Sequence, residues 1–200
     1  MSAVESKPRR GVGLRWRERA VATGELVFLR FPLRRDRAEF LELRRASRVH
    51  LEPWEPLPPR GFDAWGDDVF ERELRNRRSA GQHRLLICRR GDGAIVGRVA
   101  VAPIERGAIQ TARLGYWIGE PHCGNGYMTE ALRLVTRYCF RSLGLHRVSA
   151  DVQPHNAASK RAVLRAGFRY EGFSPKLVQI AGRWADHERY AMTADDPQPK

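Results

Sequence analysis

One stretch constrains the fold more than any other, because a strand pattern runs through a glycine turn into a helix pattern. A period of two relates Leu114, Tyr116 and Ile118, which predicts a half-buried strand. Glycine, proline and polar residues follow and end that strand. From Gly126 onward, apolar residues return at helical spacing as far as Leu143. We therefore predict a strand, a turn and a helix here.

A unit of this kind is suited to binding an anion. The first N–H groups of a helix have no intrahelical partner, and the helix dipole adds positive potential. Gly124 and Gly126 carry no Cβ, so a phosphate group can approach their backbone closely. A tight turn that binds nothing is the open alternative. Two other phosphate motifs do not fit, because Tyr127 and Thr129 stand where a Walker A loop and a dinucleotide fingerprint require other residues.

Length and composition narrow the class of protein. A chain of 200 residues predicts one domain with a sizeable core. No run approaches the roughly 18 apolar residues of a membrane span, and the polar, basic start is not a secretory signal. Cys88, Cys123 and Cys139 are odd in number and lack metal-ligand spacing. We expect a cytoplasmic protein with no membrane contact and no metal.

The formal net charge of +13 is the unusual global property. It favours an acidic or nucleic-acid-bearing partner such as a ribosome. Because no base-recognition motif accompanies the charge, a solvated arginine-rich surface explains it equally well.

The remaining patterns predict an α+β fold with one central sheet and helices on its faces. Residues 1–22 form a predicted basic, flexible arm, 23–194 the domain, and 195–200 a disordered tail. A proline-rich loop at 53–59 excludes regular helix. The other predicted elements are strands at 25–31, 83–89, 94–104 and 146–153, helices at 34–49, 62–79 and 157–166, and a hairpin of 168–180 with 184–193.

A second block of residues makes a family resemblance specific. It consists of Asn156-Ala157-Ala158-Ser159, Gly167-Phe168 and Glu171-Gly172. With the turn at 123–128, it resembles the GNAT acetyltransferases, and within them the RimJ/RimL branch, which acetylates protein N-termini, notably of ribosomal proteins. The Pro-Trp-Glu-Pro loop at 53–56 and the hairpin at 182–187 also resemble that branch, and the details are closer to RimJ.

The resemblance implies the GNAT acyltransferase fold, which has a central, mixed, mostly antiparallel twisted sheet flanked by helices. It also implies acetyl-CoA as the cofactor. The turn departs from the family motif at Cys123, where Gln or Arg is usual, and at Met128, where Gly or Ala is usual. By similarity, the cofactor-binding residues are Tyr116, Trp117, Ile118, Cys123, Gly124, Asn125, Gly126, Tyr127, Met128, Thr129, Asn156 and Ser159.

The reaction implied is acetyl transfer to an amine. Ser159 is the expected proton donor to the departing thiolate, although a plain first-turn serine is the alternative, as a plain N-cap is for Asn156. A backbone N–H of Trp117 or Ile118 is expected to hold the thioester carbonyl oxygen. An N-terminal α-amine has a pKa of about 8, so a sizeable fraction is neutral without a strong base.

The acceptor side is less determined. The glutamate of RimL-type sequences is not matched, since Val178 falls near its position. The candidates for the base are Glu55, which is the expected catalytic residue toward the amine, and the Asp186-His187 pair. The acceptor-binding residues are expected to be Trp54, Glu55, Trp184, Asp186 and His187. Simple packing or surface charge is the alternative for each. The expected acceptor is a protein that starts with Ala or Ser. The alternative acceptors are a small amine and a lysine side chain, and the non-enzymatic alternative is a ribosome- or RNA-binding role. The chain is expected to be a monomer or a homodimer.

Overall fold

The computed structural model describes residues 20–197, within which nine strands form a single sheet. The strands are β1 Ala20–Thr23, β2 Val27–Arg30, β3 Arg78–Ser79, β4 Gln82–Arg89, β5 Ile95–Glu105, β6 Thr111–Ile118, β7 Arg147–Val152, β8 Arg169–Ile180 and β9 Arg183–Thr193. The helices are α1 Arg37–Ala46, α2 Arg48–Leu51, α3 Asp67–Arg75, α4 Tyr127–Arg141 and α5 Ala157–Arg165. The sheet order is β1-β2-β4-β5-β6-β7-β9-β8, and β3 pairs with β4.

The sheet confirms the predicted α+β architecture, because its strands are mixed and mostly antiparallel. The parallel contact lies between β6 and β7, and it covers only Thr111 to Arg113 of β6. Beyond Arg113 the two strands separate, while β6 continues to pair with β5 as far as Ile118. The edge of β6 that faces β7 is therefore open along 114–118.

Each face of the sheet has its own core. Strand side chains alternate between faces, so Val27 and Leu29 pack under α4 and α5 while Phe28 packs under α1 and α3. On the second face, Phe40 of α1 and Phe70 of α3 are fully buried with ring centroids 5.3 Å apart. These two layers hold the ends of β6 and α4 in place.

Several elements differ in extent from the prediction. The helix expected over 34–49 is interrupted at Ser47, and α3 is shorter than the expected 62–79. Before α3, the Asp63 carboxylate accepts the N–H of Trp65 at 2.8 Å, which favours a turn over helix. The predicted strand at 25–31 is β2, and the short strands β1 and β3 were not predicted.

The predicted domain limits shift slightly at both ends. Strand β1 begins at Ala20, three residues before the expected start, and the rest of the expected arm lies outside the described residues. At the other end, Asp196 accepts the backbone N–H of Thr193 at 2.7 Å, so local structure extends past Asp195. Across residues 20–197, no helix is long and apolar enough to cross a membrane.

Candidate active site

A cleft of about 290 Å³ opens where β6 and β7 separate. Its walls are the end of β6, the turn that leads into α4, the start of α5, and the loop that follows α2. All the residues predicted to bind the cofactor line it, namely Tyr116, Trp117, Ile118, Cys123, Gly124, Asn125, Gly126, Tyr127, Met128, Thr129, Asn156 and Ser159. The structure thus brings together two motifs that lie about 30 residues apart in the chain.

The turn before α4 has the geometry of an anion cradle. Gly124 and Gly126 adopt left-handed backbone conformations, with φ of 80° and 77°, which favour glycine. Helix α4 begins at Tyr127, so its first N–H groups face the cleft without helical partners. The Asn125 amide donates to the carbonyls of His122 (3.2 Å) and Cys123 (3.1 Å), which braces the turn. A Cβ on Gly124 would meet nothing within 4 Å, so the approach to the backbone is open.

Across the cleft, Ser159 and Tyr116 form a hydroxyl pair. The Tyr116 hydroxyl and Ser159 Oγ are 2.7 Å apart. Burial raises the pKa of Tyr116 to about 12, so its phenol is a proton-bearing donor at neutral pH. Asn156 caps α5 by accepting the N–H of Ser159 at 3.0 Å, which fixes the serine at the cleft wall.

The acceptor-side loop is held by a buried arginine. Both Glu55 carboxylate oxygens accept from Arg44, one of them at 2.9 Å, and the Arg44 side chain is 2% exposed. Arg44 also donates to the carbonyl of Ala64 at 2.8 Å and lies over the Trp65 ring. Glu55 is 25% exposed and lines the cleft, so it is anchored on one side and accessible on the other. Trp54 lines the cleft as well.

The predicted residues of the C-terminal hairpin lie apart from the cleft. Trp184 is 62% exposed, and the Asp186 carboxylate accepts the N–H of Lys176 at 2.8 Å. His187 is buried, with Nδ1 3.0 Å from the carbonyl of Ala185. The tip of the hairpin does reach the acceptor-side loop, because the N–H of Ala181 donates to the carbonyl of Glu55 at 3.0 Å.

Four polar residues that the sequence did not single out also line the cleft. They are His50 on α2, His122 just before the glycine turn, and the arginines Arg161 and Arg165 on α5. The arginines are four residues apart and so share a helix face, which is a pattern the sequence does contain. His50 carries no such signal, since its place depends on how α2 packs against the turn.

The comparisons with known proteins agree with this geometry. The profile described as "Acetyltransferase (GNAT) domain" matches residues 27–169, which is most of the chain. The chain belongs to the GNAT acetyltransferase family. Its cofactor is acetyl-CoA, and the cradle, the open β6 edge and the cleft fit such a molecule.

Individual relatives place this GNAT domain beside the RimJ/RimL proteins. It is 31% identical over 183 residues to the ribosomal protein uS5-alanine N-acetyltransferase of Escherichia coli (strain K12), covering 88% of this chain and 92% of that one. It is 46% identical over 108 residues to the probable N-acetyltransferase YjcK of Bacillus subtilis (strain 168), covering 54% of this chain and 60% of YjcK. The solved structure of Mycobacterium smegmatis RimJ in complex with CoA-disulfide superposes with a TM-score of 0.79 at 32% identity, covering 86% of this chain and 87% of that one.

Proposed function

We propose that this protein transfers the acetyl group of acetyl-CoA to the N-terminal α-amine of an Ala- or Ser-starting protein, and that the acceptor is a ribosomal protein. The observation that carries the proposal is the match to a ribosomal-protein alanine acetyltransferase along nearly the full length of both chains. That match includes both the cofactor cradle and the acceptor-side loop. The proposal places the reaction in the cytoplasm.

The cofactor supplies an activated thioester, and transfer breaks its C–S bond while an amide bond forms to the amine. The amine nitrogen releases one proton to solvent as the amide forms, and the departing sulfur gains one. The chain must therefore orient a neutral amine, polarise the carbonyl and give a proton to the sulfur. We assign the last task to Ser159. If the Tyr116 hydroxyl donates across the 2.7 Å contact, the hydrogen of Ser159 is free to point toward the sulfur. The open edge of β6 near Trp117 and Ile118 supplies the N–H for the carbonyl oxygen.

On the acceptor side, Glu55 receives the α-ammonium group. Its two oxygens each accept one bond from Arg44, each oxygen retains a second lone pair, and the side chain is 25% exposed. Because the α-amine is already partly neutral near pH 8, positioning by Glu55 and Trp54 supplies much of the required catalysis.

The proposal is tested with purified protein, acetyl-CoA and peptides of matched sequence. We expect acetylation of peptides that begin with Ala or Ser, and none when the α-amine is blocked and only an internal lysine remains. Spermidine serves as the small-amine comparison. Preferred turnover of the lysine peptide or of the small amine would overturn the proposed acceptor while leaving the acetyltransferase assignment intact. Intact-mass analysis of protein N-termini in a strain lacking the gene then identifies the acceptor.

A further inference from the structure

We infer that His50 donates a hydrogen bond to the pyrophosphate of acetyl-CoA and so replaces the side chain that the turn lacks at Cys123. His50 Nε2 lies 3.6 Å from Cys123 Sγ, and both residues line the cleft. The inference depends on cofactor binding alone and is independent of the acceptor.

The position of His50 is fixed by the packing of α1 and α2 against the segment after β6. The Ser47 hydroxyl accepts the N–H of Glu120 at 2.9 Å. Leu43 lies so close to Gly119 that a Cβ there would be 2.4 Å from Leu43 Cδ1. Leu51, the neighbour of His50, is buried in the core. These contacts fix the backbone of α2 beside the turn, and the imidazole itself contacts Cys123.

The chemistry of the turn explains why a donor from another element is useful. Thiols are weak hydrogen-bond donors, so Cys123 contributes little to an anion. The Asn125 amide is already used by two turn carbonyls. Burial and the nearby Arg89 lower the pKa of His122, so that imidazole adds no positive charge beside the phosphates at neutral pH. In the tautomer that carries the proton on Nε2, the His50 imidazole adds a side-chain donor beside the backbone amides. A hydrogen bond to a charged phosphate is stronger than one to a neutral group.

The test measures binding of acetyl-CoA, 3′-dephospho-acetyl-CoA and S-acetylpantetheine to His50→Ala and His50→Gln. Calorimetry serves for the first two ligands, and ligand-observed NMR for the weakly binding third. We expect His50→Ala to weaken acetyl-CoA and 3′-dephospho-acetyl-CoA by roughly tenfold and to leave S-acetylpantetheine unchanged. His50→Gln retains an N–H donor and should lose less. The matched control is His146→Ala, which removes an exposed imidazole outside the cleft.

A second substitution that restores affinity would show that His50→Ala has not simply misfolded. In the His50→Ala background, Cys123→Arg returns a cationic side chain to the exposed turn position and should restore most of the lost affinity. An equal loss for S-acetylpantetheine would show that His50 acts by packing. A loss confined to acetyl-CoA and absent with the 3′-dephospho ligand would assign His50 to the 3′-phosphate. Either result, or unchanged affinity throughout, overturns the inference.

Discussion

At the scale of single residues, the contact between Ser159 and Tyr116 leads to a prediction about rate rather than affinity. Removing a neutral hydroxyl donor should lower kcat by up to roughly tenfold in Ser159→Ala. Tyr116→Phe should act through the same contact, so the double variant should be no slower than the worse single variant. Single-turnover kinetics gives the rates, and calorimetry should show nearly unchanged acetyl-CoA affinity. An unchanged kcat where chemistry limits turnover would remove Ser159 from the mechanism.

For Glu55, the pH dependence of activity can distinguish a role as a base from a role in attracting the ammonium group. Glu55→Gln keeps size but removes charge, so kcat/KM for an Ala-starting peptide should fall roughly ten- to a hundredfold. If Glu55 acts as a base, higher pH should recover part of that loss, because more of the amine is then neutral. If it only attracts the ammonium group, higher pH should give no selective recovery.

The control for this experiment is Glu52→Gln on the same loop, where the carboxylate is exposed and pairs with Arg48 at the surface. Glu55→Gln also deprives the buried Arg44 of its partner, so its thermal stability should fall more than that of Glu52→Gln. Unchanged acetyl-CoA affinity would show that the cleft remains folded. If Glu55→Gln shows wild-type peptide kinetics, Glu55 has no part in the reaction and the loop has only a structural role.

At the scale of elements, variants at the start of α4 can distinguish a loss of cofactor binding from an effect of backbone strain. Gly126→Asp places a carboxylate against the phosphates and should weaken acetyl-CoA binding more than tenfold, as measured by calorimetry. Gly144→Asp is the matched control, because Gly144 also has a positive φ, of 63°, and does not line the cleft. Both variants should lose stability through left-handed strain. Equal acetyl-CoA affinities in the two would contradict the cradle assignment.

The same helix is tied to the N-terminal hairpin by one carboxylate. Glu130 accepts the N–H groups of Glu25 at 2.7 Å, Leu26 at 2.8 Å and Val27 at 2.7 Å. Glu130→Ala should therefore lower the free energy of unfolding by about 2 kcal/mol, read from urea denaturation, whereas the exposed Glu42→Ala on α1 should change it little. Gly24→Ala should also destabilise, since its Cβ would lie 2.5 Å from the Glu130 carboxyl carbon. If Glu130→Ala and Glu42→Ala change the free energy of unfolding equally, these three hydrogen bonds make no net contribution to stability.

How far the elements could be predicted depended on how local their causes are. The β6–α4 unit was predicted within two or three residues, because two periodicities meet at a glycine turn. Strand β1 was missed because Ala20–Thr23 is short and small-sided, and it exists only through pairing with β2. On β9, Trp184 and Asp186 point to one face and His187 to the other, so the three could not form one surface. The place of His50 depends on tertiary packing, which no local pattern encodes.

At the scale of the whole molecule, 36 lysines and arginines against 23 acidic residues give the chain its net charge of +13. Part of the arginine content is structural, since Arg30 pairs with Asp36 and Arg84 with Glu73 in buried positions. Other arginines lie on the sheet face opposite the α4 and α5 layer, where Arg113 is exposed and Arg147 is half-buried. Because Arg113 pairs with Asp151 and Arg147 with Glu171, these two add little to the excess positive charge.

The net positive charge predicts association with ribosomes that depends on salt and does not depend on catalysis. The distance over which charges attract each other shortens as salt rises, and the Debye length is about 8 Å at physiological ionic strength. Added salt also weakens phosphate contacts, because it reduces the gain from counterion release. We expect co-sedimentation with ribosomes at about 50 mM salt and release by about 300 mM. Acetylation of a free Ala-starting peptide should change little over the same range, because the cleft contacts are short-ranged. Salt-sensitive ribosome binding without turnover of any amine would favour a binding module, whereas turnover with no ribosome association would assign the charge to solvation alone.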